Sequence, residues 1–228
     1  MADTRGKLIS VEGIDGVGKT THAGLLVEFL VAVRKVCFAL HFPCYETEIG
    51  RLLKKALRKD IGLPAHSLFA LFSVNRLEKK EQIEHYLESG CIVVSDRYTE
   101  SEFAYGLANG LPFQWLLSLE SQMPAADLVV LLDVDARKAM RRLRMRADRD
   151  SFEQDMQLQC KVRSNYLRMS ASPPYSGQQW VVVDSAADIA RVQATICRHV
   201  TSLILEPFGG FLQPFSKNDT VRDAQDGT

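Results

Sequence analysis

The segment Gly13-Ile14-Asp15-Gly16-Val17-Gly18-Lys19-Thr20 meets the pattern G-x-x-x-x-G-K-[ST]. Before it, Leu8-Ile9-Ser10-Val11 reads as a buried strand, and after it Leu25, Leu26, Phe29 and Leu30 recur at helical spacing. A glycine-rich turn between a strand and a helix aims successive backbone N–H groups at one point, and the helix adds its positive end. That concavity fits the phosphates of a nucleoside triphosphate. Lys19 is placed to reach the outer phosphates and the Thr20 hydroxyl to ligate Mg2+. Gly13, Asp15, Gly16, Val17, Gly18, Lys19, Thr20 and the following Thr21 are therefore the residues expected to bind the triphosphate.

The rest of the chain agrees with such a loop. Lys7–Val11, Val36–Phe42, Ile92–Ser95, Leu128–Val134 and Trp180–Val183 read as short strands. Residues 47–58, 68–88, 113–122, 136–146, 152–170 and 187–205 carry apolar side chains three and four apart and read as helices. This alternation predicts an α/β, three-layer fold: a mostly parallel five-stranded sheet with helices on both faces. No Pro/Gly/Ser-rich linker or repeat divides the 228 residues, so one domain is expected over 1–206, with a disordered tail over 207–228. Lys and Arg number 28, as do Asp and Glu, so the charge balance points to neither nucleic acid nor an anionic membrane as partner. Five scattered cysteines without a C-x-x-C pair argue for a reducing compartment and against structural zinc. With no signal-peptide pattern and no apolar run of about 18 residues, the expected setting is the cytoplasm, the nucleus being left open.

Chemistry in a parallel sheet collects at the carboxyl ends of its strands. Cys91-Ile92-Val93-Val94-Ser95-Asp96 ends there in a carboxylate that could orient Mg2+ through water or close the strand with an ion pair. Arg97 follows at once, and its fork of donors matches a second phosphate group. The pairing favours phosphoryl transfer between two phosphorylated molecules. A GTP-dependent switch is disfavoured, because neither N-K-x-D nor a later D-x-x-G is present.

In order and spacing these landmarks resemble the P-loop nucleoside monophosphate kinases, and within them the thymidylate kinases. The resemblance runs from Ile9 to about Leu205. It rests on the P-loop with Asp15, Phe42-Pro43 followed by Thr47-Glu48-Ile49-Gly50, Phe72-Ser73-Val74-Asn75-Arg76, and Asp96-Arg97-Tyr98 followed by Ser101, Ala104 and Tyr105. It implies ATP- and Mg2+-dependent phosphorylation of dTMP to dTDP, with another deoxynucleotide or nucleoside, such as dUMP, as the alternative acceptor. Phe72 is then similar to the aromatic plate under the thymine, and Arg76 to the donor to a base carbonyl. On residue type alone the same stretch is an ordinary amphipathic helix with Arg76 solvated. Arg97 would hold the acceptor phosphate, Asp15 the sugar 3′-hydroxyl, and Phe42, Pro43, Ser101 and Gln159 the surrounding pocket; Tyr105 would crowd the 2′ position. Lys19, Asp96 and Arg97 are the expected catalytic set, completed by a lid arginine.

The resemblance also implies an Arg-rich lid over about 137–153. Family members carry a catalytic arginine either at the fourth P-loop position, here Gly16, or in the lid, so the lid must supply it. Arg149 is the expected residue, with Arg144 and Arg146 as competitors and Phe152 and Glu153 beside it. Arg142 is similar to the family's adenine-stacking residue. One position departs from the family: Tyr45 stands where an arginine usually grips the acceptor phosphate, and Arg51 is the nearest replacement. A homodimer is implied as well, through apolar residues of 68–87 and 103–119.

Overall fold

The computed structural model describes residues 5–143 and 156–205. The described chain runs β1 Leu8–Glu12, α1 Lys19–Ala32, β2 Cys37–His41, α2 Glu48–Leu57, α3 Ala65–Leu77, α4 Lys80–Glu88 and β3 Ile92–Asp96. It continues with α5 Thr99–Ala108, α6 Phe113–Glu120, β4 Leu128–Asp133, α7 Ala136–Leu143, α8 Met156–Ala171, β5 Gln179–Asp184 and α9 Ile189–Leu205. The five strands form one sheet in the order β2-β3-β1-β4-β5, and every pairing is parallel. The predicted α/β fold is the observed one.

Strand periodicity sorts the core into two layers. Leu8, Val93 and Val129 join Ile83 and Leu87 of α4 in one buried cluster, whereas Ile9, Val94 and Val130 join Leu26 of α1 and Ile196 of α9 in the other. Successive side chains of a strand point to opposite faces, so a sheet buried on both sides must be apolar throughout. All five residues of the central strand β1 are buried, Leu8, Ile9 and Val11 meeting this demand while Ser10 and Glu12 are polar and hydrogen-bonded. Its position between β3 and β4 brings three strand ends together where the glycine-rich loop begins. No helix among the described residues is long and apolar enough to cross a membrane.

Two expectations need correction. The single helix over 68–88 is two helices, because the backbone tightens at Arg76–Lys79, where Lys79 N–H donates to the Arg76 carbonyl at 2.9 Å. The joint lets α3 bury Phe69, Ser73 and Arg76 while α4 buries Ile83 and Leu87 on a different azimuth. Helix α5, not expected at all, is buried on nearly every side through Glu100, Glu102, Phe103, Ala104 and Tyr105. A helix without a solvent stripe has no amphipathic signature to detect.

Candidate active site

The loop after β1 is built as its glycines require. Gly13, Gly16 and Gly18 all have positive φ, and a Cβ on Gly13 would sit 2.4 Å from the Leu132 carbonyl oxygen. Only glycine combines that conformation with so close an approach of β4. Lys19 folds back over the loop, donating to the carbonyls of Gly13 at 3.1 Å and Ile14 at 2.8 Å. Burial, with the positive charge of Arg97 adding to it, pulls the Lys19 ammonium down to about 8. Thr20 and Thr21 are exposed at the start of α1, and the Thr20 hydroxyl donates to Asp96 Oδ2 at 2.6 Å. Hydroxyl and carboxylate thus converge beside the loop, an oxygen pair that fits Mg2+ held partly by water and partly by nucleotide phosphates. Among the described residues no group of three or more His, Cys, Asp or Glu side chains could hold a metal unaided.

Asp15 is the hub of the site. Its carboxylate accepts from Arg97 Nη2, from the Tyr105 hydroxyl at 2.8 Å and from Gln159 Nε2 at 2.8 Å, with Lys19 Nζ at 3.7 Å. Burial works to raise its pKa, but Arg97 and Lys19, with the hydrogen bonds from Tyr105 and Gln159, hold it below the ordinary carboxylate value. Arg97 itself adopts φ 67° at the turn from β3 into α5. A left-handed conformation at a residue with a Cβ is strained by about 1 kcal/mol or more, and such strain gathers where a side chain must be aimed. Its guanidinium lies 5.3 Å from the centroid of the Tyr105 ring and donates to Ser101 Oγ at 3.3 Å.

Two adjoining clefts open on this hub. One, of about 520 Å³ including its mouth, is lined by the expected residues Asp15, Phe42, Pro43, Phe72, Arg76, Arg97, Ser101 and Tyr105, and also by Leu57, Phe69 and Glu102. The other is lined by Asp15, Gly16, Gly18, Lys19, Thr20, Thr21, Asp96, Arg97 and Tyr45, with His41 beside them. They share Asp15, Phe42, Pro43 and Arg97. Gly13 and Val17 are buried in the loop itself, and Gln159 reaches the site through Asp15, whose backbone N–H donates to Gln159 Oε1 at 3.2 Å.

Of the other expected residues, Tyr45 lines the loop-side cleft and not the acceptor cleft, and the rest stand apart or lie outside the described chain. Arg51 donates to the Glu46 carbonyl at 2.7 Å and pairs with Glu48, so it lines neither cleft. Tyr45 carries Lys54 Nζ 5.7 Å from its ring centroid. Arg142 Nη2 donates to the Ser185 carbonyl at 3.0 Å. Arg144, Arg146, Arg149, Phe152 and Glu153 lie outside the described residues.

Arg76 is buried rather than solvated. Its Nε and Nη2 donate to Glu120 at 2.9 and 2.6 Å, and Nη2 also pairs with Glu102. Sequence reasoning missed Glu102 and Glu120, and it missed Glu12. The last accepts from the Tyr98 backbone N–H at 2.6 Å, from Ser101 Oγ at 2.7 Å and from the Tyr166 hydroxyl at 2.7 Å. Asn75, a landmark of the resemblance with no role assigned from sequence, is a further support: its Oδ1 accepts from the Cys44 backbone N–H at 2.7 Å, pinning the turn after Phe42-Pro43.

A phosphate-binding loop on a parallel sheet, opening onto a second cleft with its own guanidinium, defines the P-loop kinases that act on nucleotides. The thymidylate kinase family profile matches residues 11–196, and the chain belongs to the thymidylate kinase family. It is 31% identical over 199 residues to the thymidylate kinase of Schizosaccharomyces pombe, covering 87% of this chain and 93% of that one. It is 37% identical over 174 residues to a probable thymidylate kinase of Pyrococcus abyssi, covering 73% and 83% respectively. A solved structure of thymidylate kinase from Candida albicans superposes with a TM-score of 0.73 at 27% identity, over 88% of this chain and 93% of that chain.

Proposed function

We propose that this chain carries out its family's reaction, transfer of the γ-phosphoryl group of ATP to dTMP, with Mg2+ beside the loop. The reading rests above all on the continuity of the two clefts through Asp15 and Arg97. A donor triphosphate in the glycine-rich loop and an acceptor monophosphate at Arg97 meet there end to end. The acceptor's phosphate oxygens are already nucleophilic at neutral pH, so the protein need only align them and neutralise charge on the moving group. Lys19 and Arg97 supply that charge, and Arg149 of the lid completes it. Mg2+ on Thr20, with water turned toward Asp96, would neutralise charge on the β- and γ-phosphates. Phe72 stacks on the base, Arg76 donates to a base carbonyl, Asp15 accepts from the 3′-hydroxyl, and Tyr105 occupies the space a 2′-hydroxyl would need.

A homodimer fits the exposed Val74 and Leu77 on α3, and sedimentation at micromolar concentration tests it. A cytoplasmic or nuclear setting fits five free cysteines. The deciding experiment follows labelled γ-phosphate from ATP into dTMP, dUMP, dGMP and thymidine in the presence of magnesium. Label should appear in dTDP with dTMP preferred. Absence of triphosphate consumption on adding dTMP would overturn the assignment.

A further inference from the structure

The floor of the acceptor cleft holds a carboxylate only half used. Glu102 lines that cleft and is 2% exposed. Its Oε2 pairs with Arg76, whereas Oε1 is buried and has no hydrogen-bond partner among the described residues. A buried acceptor without a donor is costly, and native proteins leave few of them. Its neighbour Glu120 is different: both oxygens are taken, by Ser73 and by Arg76, and it lines neither cleft. The three bonds Arg76 makes to these acids use Nε and Nη2 and leave Nη1 to donate elsewhere. An unclaimed donor and an unclaimed acceptor therefore belong to paired side chains on the wall of one cleft.

Resting on the acceptor-site reading above, we propose that Glu102 is a second base-reading residue, its Oε1 accepting the ring N–H of a pyrimidine imide while Arg76 donates to the adjacent carbonyl. A carbonyl beside an N–H is the edge of thymine and uracil. Cytosine presents the reverse, an amine beside a lone pair, and in the same register its amine opposes Arg76 and its lone pair opposes the ionised Glu102. Geometry here is joined by charge. The charged groups acting on Glu102 are Arg76 of α3 and Glu120 of α6; burial, with Glu120 adding and Arg76 opposing, pushes its carboxyl up to about 8. With Oε2 held by Arg76, a proton taken up near neutral pH sits on Oε1. An imide N–H arriving there displaces that proton to solvent, and the carboxylate becomes the acceptor.

Titration calorimetry compares dTMP, its N3-methyl derivative and dCMP on wild type and on Glu102→Gln. Removing a hydrogen bond to a charged group costs about ten- to hundredfold in affinity, so wild type should bind the N3-methyl compound and dCMP more weakly than dTMP by that factor. In Glu102→Gln the side-chain oxygen stays toward Arg76 and the amide turns toward the base, so the preference for dTMP over dCMP should fall by about tenfold or more. At pH 7 wild type should release more protons with dTMP than with its N3-methyl derivative, which carries the same phosphate, and Glu102→Gln should release equal amounts. A purely structural Glu102 would not move that proton count, and the wild-type comparison needs no variant to fold. If wild type binds dTMP but tolerates the N3-methyl group, the assignment of Glu102 is overturned while the acceptor site stands. If wild type binds no thymidine monophosphate at all, the acceptor-site reading has failed and this inference falls with it.

Discussion

Lys19 illustrates how burial presets a side chain for its ligand. Its ammonium rests on two loop carbonyls with a pKa of about 8, so in the free protein it is charged below that pH and increasingly neutral above it. Phosphates bind the charged form. ATP affinity should therefore be steady up to about pH 7.5 and weaken by up to about tenfold per pH unit above 8. Calorimetry of ATP across pH 7 to 9.5 checks this, and a dissociation constant flat over that range would refute it. Tyr105 carries a second expectation. Its hydroxyl donates to Asp15 and its ring faces Arg97, so Tyr105→Ala should open the sugar pocket and weaken acceptor positioning together. Relative kcat/KM for UMP against dUMP should rise by about tenfold; an unchanged ratio would mean the ring is not the barrier to a 2′-hydroxyl.

The elements that carry these groups explain what could and could not be read beforehand. Strands announced themselves because both faces of the sheet are buried, which forces runs such as Ile92-Val93-Val94 and Leu128–Leu132. The loop at Gly13–Thr20 was legible for the same reason its substitution should fail: Gly13→Ala drives a Cβ against the Leu132 carbonyl. We expect that variant to lose about 2 kcal/mol or more in urea unfolding, and wild-type stability would contradict the geometry. Helix α5 was hidden because the residues it buries include Glu100 and Glu102, which in one dimension read as a solvated face. Only the fold brings Glu102 to Arg76 across a separation of 26 residues, and Glu120 across 44. Glu12 was hidden likewise, at the end of an apolar strand whose carboxylate finds its donors on α8 and around the start of α5. Glu12→Ala leaves the buried Tyr98 N–H without its acceptor and the Ser101 and Tyr166 hydroxyls with only each other as acceptors, and should cost about 2 kcal/mol or more, measured by the same unfolding experiment. Phe72, Arg97 and Tyr105, which line the cleft, were singled out because their spacing matched a known family, not because residue type alone compelled it.

At the scale of the whole molecule, the proposed transfer would require the site to exclude water, since water is a competing acceptor. The arginine expected to complete the charge on the moving group is Arg149. Arg149→Ala should lower turnover by about three to five powers of ten and leave dTMP affinity within a few-fold; wild-type turnover in that variant with loss in Arg146→Ala would reassign the role. The order β2-β3-β1-β4-β5 sets the loop after β1 directly beside the Arg97 turn after β3, and a single buried carboxylate, Asp15, spans the seam between them, with Lys19 on one flank and Arg97, Tyr105 and Gln159 on the other. Occupying either half is expected to redistribute that shared anion's partners, which would link the two nucleotides thermodynamically. Whatever factor ATP imposes on dTMP affinity, dTMP must impose on ATP, and replacing Asp15 with Asn should drive that factor toward unity in paired binary and ternary titrations.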